Sequence, residues 1–455
     1  MISNWSLAQI TQITGGRLTP AAAETTVSGI STDSRKIQCG DLYVPLTGEH
    51  FNGHDFIADA VTKGAVATLA EQPLSGIAAP VIQVTDCLLA LGQLAAFNRQ
   101  QFTGPVVAVT GSAGKTSVKQ LMASVLSQQF NTWMTQGNLN NHIGVPLTLL
   151  ALTAQHEAAV IELGASAAGE IAYTAQWVQP HVGIITNAAE AHIEGFGSLQ
   201  GVVQTKGELL DFIQPGGCAV LNADDEFYGQ WAERAQGIRQ LSFGLQTHAD
   251  VRAENIVSAL DGSRFDLVYQ GNRQAVKLPL LGQHNVRNAL AVAAAAFALD
   301  IPVTAIVAGL EQATTVSGRL QWLHGQQGQR ILNDAYNANP ASVRAAVDVL
   351  ALAADNGWLV LGDMAELGAD ELELHAATGR YARAQGIRHL LACGTRSKKT
   401  TEAFGAGAHW FASKETLAEY LKQQTGNQDI ILVKGSRSAG MEDVIRILQQ
   451  DTGEH

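Results

Sequence analysis

The chain has 455 residues, of which 46% are hydrophobic and 15% are charged, a composition that excludes an intrinsically disordered or low-complexity protein. Its length exceeds what one hydrophobic core usually supports and predicts about three domains. A formal net charge of -12 argues against a nucleic-acid partner, because phosphate backbones are bound by clustered lysine and arginine.

The sequence contains no evident signal for secretion or membrane insertion. The first basic residue is Arg17, and no apolar run reaches the roughly 18 residues that a membrane helix needs. The four cysteines, Cys39, Cys87, Cys218 and Cys393, lack the spacing of a zinc motif or a disulfide framework. These features predict a cytoplasmic protein with reduced thiols and no membrane insertion.

Residues 1–100 have the pattern of a small α/β domain. A short apolar stretch at residues 81–84 predicts a strand, and an alanine-rich stretch at residues 58–70 predicts a helix. From about residue 101, continuous apolar strands alternate with helices, which is typical of a parallel sheet covered on both faces. The strands of this second domain are predicted at residues 106–109, 159–163, 182–186 and 219–222.

A further change of pattern lies near residues 317–319, after a helix predicted at residues 286–298. Apolar strands predicted at residues 358–361, 389–392 and 430–433 then repeat the strand–helix order. Such an order is typical of a Rossmann-like domain. The predicted fold class is therefore α/β with three domains, at residues 1–100, 101–317 and 318–455.

The clearest chemical motif is the segment VTGSAGKT at residues 109–116, between a predicted strand and a predicted helix. The start of such a helix binds an anion through backbone N–H groups and the helix dipole. Lys115 is expected to reach the outer phosphates of ATP, and the Thr116 hydroxyl to bind Mg2+. The predicted ATP-binding residues of this loop are Gly111, Ser112, Ala113, Gly114, Lys115, Thr116 and Ser117.

The loop is shorter than the common P-loop, which has a glycine where this chain has Val109. The shortened loop resembles that of the Mur ligase and folylpolyglutamate synthase superfamily. The segment GNLNNHIGVP at residues 137–146 is similar to the next block of that family. The resemblance covers essentially the whole chain and implies an ATP-dependent, Mg2+-dependent ligase with a central P-loop sheet domain.

The resemblance also implies a catalytic set. Its catalytic residues are Lys115, Lys206, His192 and Glu162, and its magnesium ligands are Thr116, Glu162, His192 and Lys206 carrying carbon dioxide as a carbamate. A carbamate would supply anionic oxygens where an ammonium would repel the ion. Without the resemblance, Glu162 and Lys206 would be ordinary exposed charges and His192 a hydrogen-bonded loop residue.

Four more residues are implied to contact ATP. Asn285 and Asn288 match segments beside the nucleotide, although helix capping explains Asn285 almost as well. Arg319 resembles an arginine that turns toward ATP when the domains close, and Asp334 resembles a ribose-binding aspartate. A site shared by two domains implies closure before chemistry, which would exclude water from a reactive intermediate.

The outer domains indicate the substrates. Residues 31–55 are similar to a UDP-binding domain of the family, which implies that Ser34, Arg35, Asn52, Gly53 and His54 bind the UDP substrate. Residues 361–368 and 434–437 resemble blocks of the member that joins D-alanyl-D-alanine to UDP-N-acetylmuramoyl-tripeptide, and we expect a monomer. Two alternatives stay open: the ligase that adds the third residue, whose Asp-Asn-Pro-Arg segment is absent here, and a nucleotide switch that makes no bond.

Overall fold

The computed structural model of the chain describes residues 1–19, 22–48, 50–190, 193–246, 248–354 and 356–449. The chain divides into two compact units. Unit 1 comprises Met1–Ala108, Phe130–Gly164 and Glu170–His181, whereas unit 2 comprises Val109–Gln129, Ala165–Gly169 and the chain from Val182 onward. The domain bounds at residues 100 and 317 stay a prediction. Among the described residues, no helix has both the length and the apolar character that a membrane span needs.

The first hundred residues contribute a small α/β arrangement to unit 1. Its strands are β1 (Trp5–Ser6), β2 (Arg17–Thr19), β3 (Thr26–Val27), β4 (Gly29–Ser31), β5 (Asp41–Tyr43), β6 (Ala67–Ala70) and β7 (Val81–Gln83). Its helices are α1 (Leu7–Thr14), α2 (Ile57–Thr62), α3 (Cys87–Gln100) and a 3-10 turn at Gly53–Phe56. Strands β2, β7, β6, β5 and β4 form one sheet in that order, in which β2 is antiparallel to β7 and the other pairs are parallel.

The helix predicted over residues 58–70 is wrong in its second half. Helix α2 ends at Thr62, and the chain continues into strand β6. Gly64 has φ +114, a conformation that glycine adopts readily and that an α-helix does not contain. Ala67 and Ala70 then lie in a fully buried strand. Alanine has the highest intrinsic helix propensity, so the alanine content of residues 58–70 led to the prediction of a helix where the chain forms a strand.

Two further segments complete unit 1. They contain β9 (Thr132–Met134), α5 (Gly144–Leu150), β10 (Ala158–Glu162) and α6 (Glu170–Val178). Strands β9 and β10 pair in parallel, and every residue of β10 is buried, as expected for a strand covered on both faces. Strand β8 (Val106–Thr110) begins in unit 1 and ends in unit 2. The strands predicted at residues 106–109 and 159–163 are confirmed.

The first part of unit 2 contains parallel strands followed by an antiparallel edge. The strands are β11 (Val182–Ile185), β12 (Cys218–Asn222), β13 (Arg239–Gly244), β14 (Val251–Ala259), β15 (Gly262–Tyr269) and β16 (Asn272–Leu278). The helices are α4 (Lys115–Leu126), α7 (Ile193–Phe196), α8 (Leu199–Gly207), α9 (Tyr228–Arg234), α10 (Gln283–Ala298) and α11 (Val303–Glu311), with a 3-10 turn at Glu208–Phe212. Neighbours from β11 to β14 are parallel, whereas β15 is antiparallel to β14 and β16. The expected parallel sheet is thus extended by two antiparallel strands.

The last part of unit 2 is the predicted Rossmann-like arrangement. Its strands are β17 (Gln321–His324), β18 (Arg330–Asp334), β19 (Gly357–Gly362), β20 (His389–Cys393), β21 (Ala408–Phe411) and β22 (Ile430–Lys434). Its helices are α12 (Pro340–Ala353), α13 (Glu371–Ala384), α14 (Lys398–Phe404), α15 (Lys414–Gln424) and α16 (Glu442–Gln449), with 3-10 turns at Gly368–Asp370 and Arg437–Ala439. The sheet order is β17, β18, β22, β19, β20, β21, and β17 alone of these strands is antiparallel to its neighbour.

Both faces of this last sheet are covered. In β19, Leu359 and Leu361 belong to one hydrophobic cluster, whereas Trp358 and Val360 belong to another. Successive side chains of a strand point to opposite faces, so the two clusters lie on opposite sides of the sheet. The continuous apolar sequence of β19 is therefore explained by burial on both faces.

Asn98 and Arg99, in the last turn of α3, bind the ends of two other helices of unit 1. The Asn98 side-chain amide donates to the Leu149 carbonyl (2.8 Å) in α5. The Arg99 guanidinium donates to the carbonyls of Val178 (2.9 Å) and Gln179 (3.1 Å) at the end of α6. The last carbonyls of a helix have no partner within the helix. These two buried side chains supply such partners and so fix α3 to α5 and α6.

Arg99→Met is expected to lower the free energy of unfolding by about 2–4 kcal/mol, because it leaves buried carbonyls without donors. Arg99 is 4% exposed, and burial lowers the pKa of its guanidinium to about 10. Urea denaturation of the full chain measures the loss. The matched control is Gln100→Met at the exposed neighbouring position, which should change stability by less than about 0.5 kcal/mol. Equal losses in both variants would contradict the role of Arg99.

Candidate functional site

The glycine-rich loop between β8 and α4 depends on two glycines. Gly111 has φ +146 and Gly114 has φ +85, conformations that other residues rarely adopt. A Cβ atom at Gly111 would overlap the Thr186 hydroxyl, and one at Gly114 would lie 2.6 Å from Asn288 Oδ1. Backbone conformation and close packing therefore both require glycine at these two positions.

The segment after β11 fixes the shape of this loop. Asn187 Oδ1 accepts the Ala113 N–H (2.9 Å), and Asn187 Nδ2 donates to the Ala113 carbonyl (3.1 Å). The Thr186 hydroxyl donates to the same carbonyl at 2.6 Å. Across the loop, the Lys115 ammonium donates to the Gly111 carbonyl at 2.6 Å. The predicted phosphate loop is thus held in one conformation, with its lysine folded over it.

Arg319 lies against the start of α4. Its Nη2 donates to the Thr116 hydroxyl at 3.1 Å, and its guanidinium stacks over the Tyr336 ring with the two centres 4.6 Å apart. The guanidinium of Arg437 lies over the same ring at 5.9 Å. The structure therefore brings together the predicted ATP-binding residues Thr116 and Arg319, and it places a second cation beside them.

Asp334 forms a buried ion pair at the end of β18. Its Oδ2 accepts from the Lys434 ammonium at 2.6 Å, and its Oδ1 accepts the Leu320 N–H at 3.2 Å. The side chains of Lys434 and Asp334 are 3% and 12% exposed. Asp334 and Lys434 are register partners in neighbouring parallel strands. The ion pair thereby fixes the backbone next to Arg319.

Asn285 and Asn288 lie in the first turns of α10. Asn288 Nδ2 donates to Asn285 Oδ1 (3.1 Å), and Asn285 Nδ2 donates to the Leu281 carbonyl (2.9 Å). The N-cap position of α10 is occupied by Gly282, so the capping explanation for Asn285 is wrong. Asn288 packs against Gly114. The asparagine pair therefore adjoins the glycine-rich loop.

His284, in the same turn, carries an ionisable ring close to the Asp334 carboxylate. Burial lowers its pKa from the usual value, and the charge of Asp334 opposes that shift. Desolvation is the larger of the two effects. The imidazole is therefore neutral at pH 7.

Lys206 is buried, in contrast to the exposed helix charge that the sequence alone would suggest. It lies in the last turn of α8 and is 2% exposed. Its Nζ is 3.5 Å from the Ala165 carbonyl and 4.9 Å from the centre of the Phe196 ring. Lysine is exposed at most positions in proteins, so burial sets Lys206 apart from an ordinary surface lysine.

Glu162 is likewise buried at the end of β10 in unit 1, where it is 3% exposed. Its Oε1 accepts from Asn140 Nδ2 at 2.8 Å, and its N–H donates to the Thr135 hydroxyl at 2.9 Å. The interpretation of Glu162 as a solvated surface group is wrong. Asn140 belongs to the segment GNLNNHIGVP, so that block and the end of β10 meet in space. His192 lies outside the described residues.

Ser34 and Arg35 follow β4. The Ser34 side chain is buried, and the residue is 8% exposed. The exposed Arg35 side chain pairs with Asp33 at 2.8 Å. This hydrogen-bonded pairing lowers the pKa of Asp33 to about 2. The two predicted substrate residues therefore differ: Ser34 is held inside, whereas the Arg35 guanidinium faces solvent.

Asn52, Gly53 and His54 form the start of the 3-10 turn in unit 1. Asn52 Oδ1 accepts the His54 N–H at 3.0 Å and caps the turn. The Gly53 carbonyl accepts from the Tyr43 hydroxyl at 2.9 Å, and a Cβ at Gly53 would lie 2.6 Å from the Leu46 backbone. In the part of the chain that the structure describes, no hydrogen bond joins this turn to Ser34 or Arg35.

Comparison with known proteins identifies the family. Residues 26–99 match the profile described as "Mur ligase family, catalytic domain", residues 109–296 match "Mur ligase middle domain", and residues 318–437 match "Mur ligase, glutamate ligase domain". The chain is also 44% identical over 449 residues to the UDP-N-acetylmuramoyl-tripeptide--D-alanyl-D-alanine ligase of Escherichia coli (strain K12), covering 98% of each chain. The chain belongs to the Mur ligase family.

Solved structures of Mur ligases share its fold. A crystal structure of MurF from Acinetobacter baumannii has a TM-score of 0.94 at 35% identity and covers 99% of this chain and 100% of its own. A MurF ligase from Thermotoga maritima, solved in complex with ADP, has a TM-score of 0.83 at 24% identity over 93% of this chain and 97% of its own. The predicted three-domain α/β fold class of a Mur ligase is therefore confirmed.

Several residues at the site of this Mur ligase were not among the predicted site residues. Thr186 and Asn187 hold the loop, Tyr336 stacks with Arg319, and Lys434 pairs with Asp334. A usable signal existed for Lys434 and Asn187, because each directly follows a predicted strand, at residues 430–433 and 182–186. No local pattern indicates that Asn187 binds Ala113, which lies 74 residues earlier in the chain.

In this Mur ligase chain, Gly111→Ala is expected to weaken nucleotide binding by about 100-fold, since strain and overlap with Thr186 cost about 3 kcal/mol. Titration with a fluorescent ADP analogue measures the change. Gly216→Ala is the matched control, because Gly216 also has a positive φ (+80) but a Cβ atom there would have no neighbouring atom within 4 Å. Unchanged nucleotide affinity in Gly111→Ala would contradict the packing argument.

Proposed function

We propose that this chain joins D-alanyl-D-alanine to UDP-N-acetylmuramoyl-tripeptide with the hydrolysis of ATP to ADP and phosphate, giving UDP-N-acetylmuramoyl-pentapeptide for peptidoglycan synthesis. The carrying observation is the full-length similarity to relatives named for this activity, at 44% identity for the Escherichia coli protein. A phosphate loop preorganised around Lys115 supports the same conclusion. The reaction takes place in the cytoplasm, in a protein that we expect to act as a monomer.

The chemistry has two steps. A carboxylate oxygen of the tripeptide attacks the γ-phosphorus of ATP, the bond to ADP breaks, and an acyl phosphate forms. The D-alanyl-D-alanine amine then attacks the acyl carbon, loses a proton and expels phosphate, which leaves the amide. Both steps gather negative charge on phosphate oxygens, so fixed positive charge and alignment are the main contributions of the protein.

Cationic residues of unit 2 suit this task. The Lys115 ammonium is held over the glycine loop by the Gly111 carbonyl, where it would neutralise the outer phosphates. Arg319 reaches the Thr116 hydroxyl and would contact the nucleotide at the start of α4. The loop residues Gly111 to Ser117, together with Asn285, Asn288 and Asp334, complete the proposed ATP site.

Magnesium would offset the charge of the nucleotide phosphates. The proposed ligands are Thr116, Glu162, His192 and Lys206 as a carbamate. A hydroxyl and a buried carboxylate are the oxygen donors that this ion prefers. A carbamate at Lys206 would bring its own negative charge to the cation, whereas an ammonium would repel it; Lys206 is buried, with its Nζ 3.5 Å from the Ala165 carbonyl.

The remaining residues of the proposal bind the first substrate. Ser34, Arg35, Asn52, Gly53 and His54 are assigned to the UDP-linked peptide, within a UDP-sugar-binding domain at residues 1–100. The exposed Arg35 guanidinium is available to an anionic ligand. Residues 101–317 form the proposed ATPase domain, and residues 318–455 are assigned to D-alanyl-D-alanine.

A substrate panel tests this function. Release of phosphate should require ATP, UDP-N-acetylmuramoyl-tripeptide and D-alanyl-D-alanine together, and mass spectrometry should detect the pentapeptide product. Lys115→Ala should reduce turnover by about 1000-fold or more with unchanged thermal stability, because this lysine contributes charge in the transition state and little packing.

Each alternative predicts a different outcome of that panel. Turnover with UDP-muramoyl-dipeptide and a single amino acid, but none with UDP-N-acetylmuramoyl-tripeptide and D-alanyl-D-alanine, would assign the chain to addition of the third residue. Phosphate release at the same rate with and without UDP-N-acetylmuramoyl-tripeptide and D-alanyl-D-alanine would indicate a nucleotide switch. Wild-type turnover in folded Lys115→Ala would overturn the proposed role of the loop.

Lys206→Ala is expected to be nearly inactive and to be partly rescued by acetate. A small carboxylate can occupy the vacated space and supply the oxygen ligands of the proposed carbamate. Steady-state rates with increasing acetate measure the rescue, and ethylammonium at equal ionic strength is the control. Rescue by the amine instead of the acid would show that Lys206 acts as a cation.

A further inference from the structure

Three metal-ligating side chains meet in unit 1. His54 lies in the 3-10 turn, Glu71 directly follows β6, and Cys87 is the first residue of α3. A ring nitrogen of His54, a carboxylate oxygen of Glu71 and the Cys87 sulfur all lie within 4.8 Å of one another. The proposed ligation reaction assigns no role to Glu71 or Cys87.

Asn52 sets the orientation and the tautomer of the His54 ring. The backbone N–H of His54 donates to Asn52 Oδ1 at 3.0 Å, which identifies that atom as the oxygen, and His54 Nδ1 lies 2.9 Å from the same oxygen. Nδ1 therefore carries the hydrogen, and the lone pair lies on Nε2. In metal sites, the ligating histidine commonly donates its other ring hydrogen to such an acceptor.

The Nε2 lone pair faces the other two members of the cluster. It accepts the Glu71 N–H at 3.3 Å and lies 4.0 Å from Cys87 Sγ. Glu71 Oε1 in turn accepts the Cys87 N–H at 3.0 Å. Cys87 is fully buried, whereas Glu71 is exposed. The Cys87 sulfur thus lies in the protein interior, whereas the exposed Glu71 carboxylate leaves the cluster accessible to solvent.

We propose that His54, Glu71 and Cys87 form a binding site for a divalent cation of the zinc class, with water as the fourth ligand. Thiolate, imidazole and carboxylate are the ligand set of zinc and cobalt, whereas magnesium takes oxygen ligands. Tetrahedral coordination places the nitrogen and the sulfur about 3.5 Å apart. The observed 4.0 Å between His54 Nε2 and Cys87 Sγ exceeds that distance by about 0.5 Å, and the donor atoms, which lie within 4.8 Å of one another, would move together on binding.

Binding exchanges one proton for the cation. Burial, followed by the charge of the Glu71 carboxylate, raises the pKa of Cys87 to about 12, so the sulfur enters the reaction as a thiol. The metal–sulfur bond forms as the S–H proton leaves to solvent. The bound ion would join three chain segments, including the turn that contains the proposed substrate residues Asn52 and Gly53.

Cobalt titration of the full-length chain, stripped with chelator, tests the site. Thiolate–cobalt coordination gives a charge-transfer absorption in the near ultraviolet, which should saturate at one Co2+ per chain and be displaced by Zn2+. Cys87→Ser should abolish this absorption, and Glu71→Gln should weaken Co2+ binding about tenfold or more. Cys39→Ser, an exposed thiol of the same unit, is the matched control and should retain it.

A variant with Cys39, Cys218 and Cys393 all replaced by serine keeps Cys87 as the only thiol, so the test does not depend on the folding of Cys87→Ser. It should give the full absorption of the wild type. Absence of the absorption in that variant at stoichiometric Co2+, or its persistence in Cys87→Ser, would overturn the proposal. These outcomes are independent of ligase activity.

Discussion

The loop that defines this protein depends on a pair of hydrogen bonds made by one side chain. The side-chain amide of Asn187 accepts a hydrogen bond from the Ala113 N–H and donates one to the Ala113 carbonyl. It thereby satisfies both backbone groups, as a neighbouring strand would do in a sheet. Backbone groups in a tight loop otherwise need water or a ligand. Because these groups are satisfied within the protein, the loop needs less of the binding energy of the nucleotide to become ordered.

Elsewhere in unit 2, polar side chains at the ends of strands also hold neighbouring backbone in place. Parallel strands end at one edge of their sheet, and polar side chains at those ends become neighbours. Asp334 and Lys434 illustrate the rule, since they are register partners and form a buried ion pair. A buried pair adds little net stability, but it holds the adjoining Leu320 backbone and hence the position of Arg319. The buried ion pair thus contributes to the site by fixing the backbone beside Arg319 and not by adding net stability.

Local sequence patterns predicted eight of the strands, the strand–loop–helix arrangement of residues 109–116 and the three-domain fold class, because each is encoded by residues close together in the chain. They could not predict the burial of Glu162 and Lys206, since both residue types are exposed in most proteins. The antiparallel strands β15 and β16 were not predicted either, although residues 264–267 of β15 alternate between polar and apolar side chains. The failure at residues 58–70 has a local cause: the helix preference of alanine was given more weight than Gly64.

The contacts of α3 have a consequence for recombination between ligases. Asn98 and Arg99 end the first hundred residues, but their hydrogen-bond partners lie at residues 149–152 and 178–179. A chimera joined near residue 100 would therefore pack these two buried side chains against helices α5 and α6 of the other parent. Their hydrogen bonds would survive only where the main-chain carbonyls of that parent lie in the same positions. A segment that keeps all of these contacts consists of residues 1–100 together with α5 and α6, and it is discontinuous in sequence. A library of chimeras with a single crossover does not contain this combination.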